Sequence, residues 1–244
     1  AKPIRRALPA ALLMLLLPVS QASADEGWQW VVAPYLWGSS VKTDLNEDAP
    51  PVGSEADFND SISKLDMAFQ MRVEGQGNRF GAFADMTYLS LSDTASPAVF
   101  TADASFETTI IEAGGVWNVR PERYEGLDVL FGLRYVKADL DADLDPTNPL
   151  LPDVSTGLEQ TYVDGLLGVR YTARLSESWR LITRVDGAWG DSDGAVNASL
   201  MAAYRMKKGS LMFGYRYMDM ELGDDGRSLD VTMSGPVVAF AFGL

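Results

Sequence analysis

The sequence predicts an all-β protein, an antiparallel up-and-down β-barrel that spans a membrane with ten strands, or with eight as the alternative. Three observations lead to this prediction: segments that alternate apolar and polar residues, connections that alternate in length, and an N-terminal export segment. After that segment, no stretch approaches the roughly 18 apolar residues of a membrane-spanning helix. We therefore expect any membrane crossing to use strands.

Residues 65–75, LDMAFQMRVEG, show the strand pattern clearly. Apolar residues occupy the odd positions, whereas Asp66, Arg72 and Glu74 occupy even positions, so one face is apolar and the other charged. The pattern returns along the chain and predicts ten strands. These strands span about residues 28–39, 65–75, 80–88, 108–120, 127–135, 163–174, 179–189, 195–206, 211–220 and 231–244.

The connections between these segments alternate in length. Short turns follow the second, fourth, sixth and eighth segments, whereas long loops rich in acidic residues occupy 44–63 and 139–159. Membrane β-barrels have short turns on one side and longer loops on the other. With an even number of strands, both chain ends lie on the side of the short turns.

The N-terminal export segment has the three parts of a Sec-type signal peptide. Three basic residues precede an apolar run at 7–19, and Ala22-Ser23-Ala24 forms a small-residue cleavage site. We expect a signal peptide at 1–24 and one mature barrel domain at 25–244. Removal of the signal peptide takes away three basic residues and no acidic one, which shifts the net charge from −14 to −17.

Aromatic residues fall near both ends of the predicted strands, on the apolar face. Membrane barrels place aromatic girdles at both interfaces, where one end of the ring is apolar and the other is wet. The residues assigned to these girdles are Trp28, Trp30, Phe80, Tyr88, Trp117, Tyr135, Tyr171, Trp179, Trp189, Tyr217 and Phe242.

The polar faces carry charges of both signs, and every base among them is an arginine. Arginine forms planar, bidentate pairs with carboxylates, which suits a closely packed interior. The sequence therefore predicts a charge-paired lumen. Its acids are Asp66, Glu74, Asp85, Glu112, Asp128, Asp164 and Asp186, and its bases are Arg72, Arg134, Arg170, Arg174, Arg180, Arg184, Arg205 and Arg216.

Three strands share a short motif, at residues 131–135, 167–171 and 213–217, in which glycine and arginine face the lumen. The glycine is expected to make room for a neighbouring side chain or to ease strand curvature. The last segment resembles the C-terminal signal that the barrel assembly machinery reads during insertion. The residues assigned to this signal are Gly235, Val238, Phe240 and Phe242, although the chain ends in Gly-Leu rather than at an aromatic residue.

The stretches at 30–40, 65–92 and 184–222 resemble a widespread group of Gram-negative outer-membrane β-barrel proteins, similar to the opacity and outer-membrane-protein-A-like small barrels. The resemblance implies a location in the outer membrane, in contact with outer-membrane lipid and lipopolysaccharide. Outer-membrane barrel proteases, phospholipases and lipid A-modifying enzymes need a histidine as base or proton carrier. This chain has no histidine and no cysteine, so we expect neither an enzyme nor a cofactor.

Two functions remain open after these exclusions. The acidic charge removes any electrostatic basis for binding nucleic acid. The first function is a structural or surface-interaction barrel, and the second is a narrow passive channel for small solutes or ions. A balanced lumen favours the first, because a selective channel needs an excess of one sign at a constriction. The acidic loops are expected to be a solvated fringe, with weak Ca²⁺ or Mg²⁺ binding as the alternative.

The predicted fold and location are tested by refolding the protein in detergent. A folded membrane barrel keeps its hydrogen-bonded wall in detergent until it is boiled, so boiled and unboiled samples should migrate differently on a gel. The protein should also fractionate with outer membranes. Recovery as a soluble periplasmic monomer would contradict both expectations.

Overall fold

All regular structure in the described part of the chain is β-structure. The computed structural model describes residues 27–46, 54–56, 65–95, 100–146, 154–224 and 227–243. No helix among these residues is long and apolar enough to cross a membrane. The strands are β1 (Gln29–Trp37), β2 (Ser40–Asn46), β3 (Ser54–Ala56), β4 (Leu65–Gln76), β5 (Phe80–Ala95), β6 (Phe100–Asn118), β7 (Gly126–Pro146), β8 (Val154–Arg174), β9 (Trp179–Gly190), β10 (Gly194–Met206), β11 (Gly209–Asp224) and β12 (Arg227–Gly243).

The strands form one antiparallel sheet that closes into a barrel. β1 pairs with β4, each strand from β4 to β11 pairs with the next strand in sequence, and β12 returns to pair with both β1 and β2. β1 and β2 are two halves of one barrel strand, and β3 pairs only with β2. The described residues therefore form a ten-strand barrel, which confirms ten strands rather than eight. Both ends of the described barrel lie on the side of the short turns, as predicted.

The closing seam of the barrel contains a break in the first strand at Gly38 and Ser39. The backbone amide of Gly38 donates a hydrogen bond to the carbonyl of Pro236 at 2.9 Å. A Cβ atom on Gly235 would lie only 1.9 Å from the carbonyl oxygen of Gly38. Glycine is required at this point because any side chain would push the two backbones apart.

The outer surface of the barrel is apolar over its short-turn half. Trp28 and Trp30 stack on each other with ring centroids 5.8 Å apart, and Trp179 meets Phe213 edge-on at 6.0 Å. Tyr88 and Tyr135, assigned to the girdle farther from the short turns, are half-buried. The other predicted belt residues are exposed outward: Trp28, Trp30, Phe80, Trp117, Tyr171, Trp179, Trp189, Tyr217 and Phe242.

Strand β7 exchanges its apolar and polar faces part of the way along its length. From Leu127 to Tyr135 the apolar residues at odd positions point outward, and the charged residues point into the barrel together with the buried Leu130. From Val136 onward the order is reversed: Val136 and Ala138 are buried inside, whereas Asp141 is exposed on the outside. The strand therefore passes from a lipid-facing pattern to the pattern of a water-soluble β-protein.

This reversal corrects the predicted loop at 139–159. β7 continues to Pro146 and β8 begins at Val154, so most of this segment is strand. With 21 residues, β7 is roughly 70 Å long at about 3.3 Å per residue. That length exceeds what an apolar band of about 25 Å requires, even for a tilted strand. The acidic residues at 139–146, and Glu159 on β8, therefore lie on strands that extend beyond the band.

The interior of the extended half of the barrel is filled by apolar side chains. Met218 and Met233 are register partners on β11 and β12, and both are fully buried. Removal of this much apolar surface from water stabilises the extension as it would a soluble core. The buried residues of this outer core include Val41, Leu89, Leu91, Phe106, Ile110, Val136, Met218, Met220, Leu222, Val231 and Met233.

The reversal of faces on β7 gives a test with a matched control on the same strand. Leu133→Arg should lower the free energy of unfolding by about 2–4 kcal/mol, because it places a cation on the lipid-facing surface. Asp141→Arg, on the same outer face beyond the apolar band, should change it by less than about 1 kcal/mol. Urea titration in lipid bilayers, followed by tryptophan fluorescence, measures both. Equal losses would mean that the apolar band extends past Asp141.

Candidate functional site

One group of buried charges in the barrel surrounds Glu112. Arg134 donates to Glu112 Oε1 from Nε at 2.9 Å and from Nη2 at 2.7 Å, and Arg184 Nη2 donates to Glu112 Oε2 at 2.7 Å. Asp186 completes the group, with an ion pair to Arg134 and a 2.6 Å contact from Arg184 Nε. The Arg134 side chain is fully buried. We call these four residues the Glu112 cluster.

A second group of charges surrounds Glu74, nearer the short turns. Arg170 donates to both carboxylate oxygens of Glu74, at 2.7 and 2.8 Å, and to Asp128 Oδ2 at 2.7 and 2.9 Å. Arg72 Nη2 donates to Glu74 Oε2 at 2.8 Å. We call these four residues the Glu74 cluster. Charge-assisted, bidentate pairs of this kind are the strongest hydrogen bonds available to side chains.

Three further side chains join the two clusters. Asp85 lies 3.5 Å from Arg72 and accepts a 2.7 Å hydrogen bond from the Tyr35 hydroxyl. Arg216 Nη1 donates to that hydroxyl oxygen at 3.3 Å, and Arg216 Nη2 lies 3.9 Å from Glu112. The result is one continuous network. It takes side chains from β1 and from every strand between β4 and β11, whereas β12 contributes none among the described residues.

Aromatic rings support the guanidinium groups of the network. The Arg72 guanidinium lies over the Phe83 ring at 4.6 Å from its centroid, and Arg184 lies over the same ring at 5.8 Å. Arg216 lies 4.6 Å from the ring centroid of Trp37. Cation–π contacts of this type gain strength when the cation is desolvated. The rings therefore hold the arginines in position where water is scarce.

Asn197 and Tyr35 belong to the network, although sequence reasoning did not assign them to it. Asn197 donates to Asp186 Oδ2 at 2.7 Å and accepts from Arg216 Nε at 2.8 Å. Both residues lie at inward positions of their strands, so the alternation of faces along each strand could have assigned them to the lumen. Neutral polar residues were missed because only charged residues were assigned.

Asp164 was predicted to join the charge network and the structure corrects this. Its carboxylate is buried, but it accepts hydrogen bonds from the Ser192 hydroxyl at 2.6 Å and from the Ser192 backbone amide at 3.0 Å. Asp164 therefore fixes the turn between β9 and β10 rather than pairing with an arginine. Asp66, another predicted member, lies outside the residues whose side chains the structure describes.

Three of the predicted arginines lie at the rim near the short turns and not in the buried network. Arg174 and Arg180 both donate to Glu125 Oε1, at 2.5 and 3.1 Å for their Nη2 atoms, and the Arg174 side chain is 59% exposed. Arg205 is exposed and forms no ion pair with a described residue. Exposure to water and salt screening make such contacts weak.

The glycines of the repeated motif face the lumen and allow close approach. A Cβ atom on Gly168 would lie 2.3 Å from the Cβ atom of Asp186, so this glycine leaves room for a member of the Glu112 cluster. A Cβ atom on Gly132 would lie 2.2 Å from the Ala113 carbonyl oxygen, so it would collide with the backbone of the neighbouring strand. Gly168 thus has the expected role of making room for a side chain, and Gly132 has a role that was not predicted, close approach of two strands.

A cavity of about 290 Å³ lies in the lumen on the short-turn side of the network. Arg72, Arg184 and Arg216 line it, and Arg180 and Arg205 line it nearer the short turns. The charge network therefore separates this cavity from the apolar outer core.

The outside of the extension carries a row of like charges. Glu107, Asp139 and Glu159 are direct register partners on β6, β7 and β8. Burial, together with the carboxylates of Asp141 and Glu159, raises the pKa of the Asp139 carboxyl. No group of three or more histidine, cysteine or acidic side chains in the described part of the chain could hold a metal ion. The acids of the predicted first loop, 44–63, lie outside the described side chains.

The depth of the Glu112 cluster predicts how each arginine contributes to stability. Arg134→Ala leaves Glu112 and Asp186 with less neutralisation in a buried site, so it should lower the free energy of unfolding by about 3–5 kcal/mol. Arg174→Ala, at the rim, should lower it by no more than about 1 kcal/mol. Urea unfolding of both variants in bilayers measures the difference. Similar losses would show that the cluster is hydrated.

Comparisons with known proteins show the fold. No family model and no curated protein matches this sequence. Among solved structures, the outer membrane protease OmpT from Escherichia coli is 8% identical, with a TM-score of 0.60, 88% of this chain covered and 97% of that chain covered. Ail, the attachment invasion locus protein of Yersinia pestis, in complex with the heparin analogue sucrose octasulfate, is 12% identical, with a TM-score of 0.42 and coverage of 88% and 100%. The chain thus has the fold of the Gram-negative outer-membrane β-barrels.

Proposed function

We propose that this protein is a closed, non-enzymatic outer-membrane barrel with a structural or surface-interaction role. The observation that carries the proposal is the charge network, which joins nine of the ten barrel strands across the lumen. Beyond it, the apolar outer core fills the extended half of the barrel. An ion crossing the barrel would have to part buried salt bridges and then enter an apolar interior, and both steps are unfavourable.

The chemistry of the lumen supports a non-enzymatic role. The chain has no histidine, and the carboxylates of Glu74 and Glu112 each accept hydrogen bonds from two arginines. A carboxylate held in this way is a poor base, because the arginines stabilise its ionised form. The central carboxylates of the two clusters therefore carry charge but are poorly suited to accept a proton.

The acidic face of the extension supports a role at the cell surface. Like charges directly opposite one another in a sheet are unfavourable, and Lys137, 2.8 Å from Glu159, is a local counter-charge. Divalent cations or a basic partner would relieve this repulsion. We propose that the face meets lipopolysaccharide, with Ca²⁺ or Mg²⁺ bridging its phosphates to the carboxylates.

Export and insertion complete the proposal. The predicted signal peptide at 1–24 would direct export, and the barrel assembly machinery would recognise β12. Val238, Phe240 and Phe242 lie on the outer face of β12, where a factor that binds the strand from the membrane side would meet them.

The alternative is a narrow passive channel, and the cavity on the short-turn side favours it. That cavity already occupies part of the lumen, so a pathway requires only that the network and the outer core open. Such a channel would be gated, because both barriers are closed in this structure.

Conductance separates the two functions. In planar lipid bilayers the refolded wild-type protein should show little or no steady current, because the lumen is closed. Arg134→Ala weakens the network but leaves the apolar outer core in place, so any leak through this variant should be small, and Arg174→Ala at the rim should show none. Uniform, ion-selective openings of the wild type, with arginine variants that change selectivity but not stability, would replace the closed barrel with the channel.

A further inference from the structure

The cavity on the short-turn side of the lumen has a built boundary and an open end. Tyr35 and Arg216, both members of the network, lie among the residues that line it on the network side. Glu177 and Ser178, from the turn between β8 and β9, line it at the other end. Short turns face the periplasm in outer-membrane barrels. A solute would therefore reach the cavity from the periplasm.

At the mouth of this cavity the arginines outnumber the carboxylates close to them, although the chain as a whole is acidic. Six arginines and three carboxylates line the cavity. Ala203 is the register partner of Arg180, so Arg205, two residues further along β10, is the diagonal neighbour of Arg180 on the same face. Glu125 Oε1 is shared between Arg174 and Arg180, and Arg205 pairs with no described acid. Glu177 also lies at the mouth but is exposed, so three arginines there face two glutamates and one positive charge is left over. Two adjacent guanidinium groups with so little compensation favour an anion.

The wall along the barrel seam has the opposite character. β12 contributes Val237, Ala239 and Ala241 to the cavity, and β1 contributes Val31 and Ala33 next to them. These side chains are small and aliphatic, so they form a smooth apolar strip that runs from the mouth toward the network. Contact with a hydrocarbon chain would remove this strip from water.

We propose that the cavity binds a single-chain anionic amphiphile, such as a medium-chain carboxylate, from the periplasmic side. Its charged head lies between Arg180 and Arg205 at the mouth, and its tail lies along the seam strip. A volume near 290 Å³ is at the small end of ligand pockets, which span roughly 300–1,000 Å³. One short chain fits this space, whereas a diacyl lipid does not. The deeper arginines do not compete for the head, because the network already pairs them.

The test uses the full mature protein in nanodiscs of zwitterionic phosphatidylcholine, with sodium decanoate as the probe. Isothermal titration calorimetry, with the heat from empty nanodiscs subtracted, should show saturable binding at one site. Decan-1-ol has the tail without the charge, and acetate has the charge without the tail. Both should bind at least about tenfold more weakly than decanoate, because each loses one of the two contributions.

Variants assign the binding to this cavity. Arg205→Gln should weaken decanoate binding about tenfold or more, because it removes a charge-assisted hydrogen bond. Arg120→Gln removes an exposed arginine in the turn between β6 and β7 that does not line the cavity, and it should leave binding unchanged. Ala239→Phe fills the strip without changing charge and should abolish decanoate binding. Heat-modified gel migration verifies that each variant is folded.

Three results would overturn the proposal. The first is a titration no different from that of empty nanodiscs. The second is equal affinity for decanoate in wild type and Arg205→Gln. The third is binding of acetate or decan-1-ol as tight as that of decanoate, which would indicate a simple anion site or lipid partition. Because none of these readouts depends on ion flow, the outcome is separate from the conductance result.

Discussion

The barrel depends on the neutralisation of carboxylates that have been removed from water. Glu112 accepts hydrogen bonds from Arg134 and Arg184, and an unpaired carboxylate in this position would be strongly unfavourable. Each arginine in turn contacts a second acid or a neutral polar group, so no arginine of the network depends on one partner alone. Strands that are far apart in sequence are thereby connected through the lumen as well as through the wall. Arg170 on β8, for example, reaches Glu74 on β4.

The periodicity of the sequence was sufficient to predict most of the wall and the identity of most of the buried charges. A period of two assigns each residue to a face, and Arg134, Glu112 and Asp186 lie on the face that it indicates. Partners could not be predicted, because they depend on strand register and on which side chains meet across the lumen. Asp164 illustrates the limit. It lies on the inward face, as predicted, but its partner is Ser192 in a turn rather than an arginine.

The outer half of the barrel was predicted less well, for a physical reason that the sequence itself contains. Residues 136–144, VKADLDADL, alternate as strictly as the membrane segments do. Their many aspartates indicated a loop, because aspartate is unfavourable in strands on average. In water, however, an exposed strand face accepts aspartate, and the alternate Val136 and Ala138 fill the interior. Alternation was the better predictor here, and composition was the misleading one.

The exchange of faces on β7 also determines the depth at which the barrel sits in its bilayer. On the outer face of β7, Tyr135 is the last aromatic residue, and Lys137 is the next residue along the strand on that face. A displacement by two residues, about 7 Å along the strand, would immerse Lys137 in hydrocarbon or bring the apolar band into water. Both displacements raise the free energy, so the vertical position has a minimum that this one strand defines. The residue pattern of β7 alone therefore gives the barrel a preferred level in the membrane.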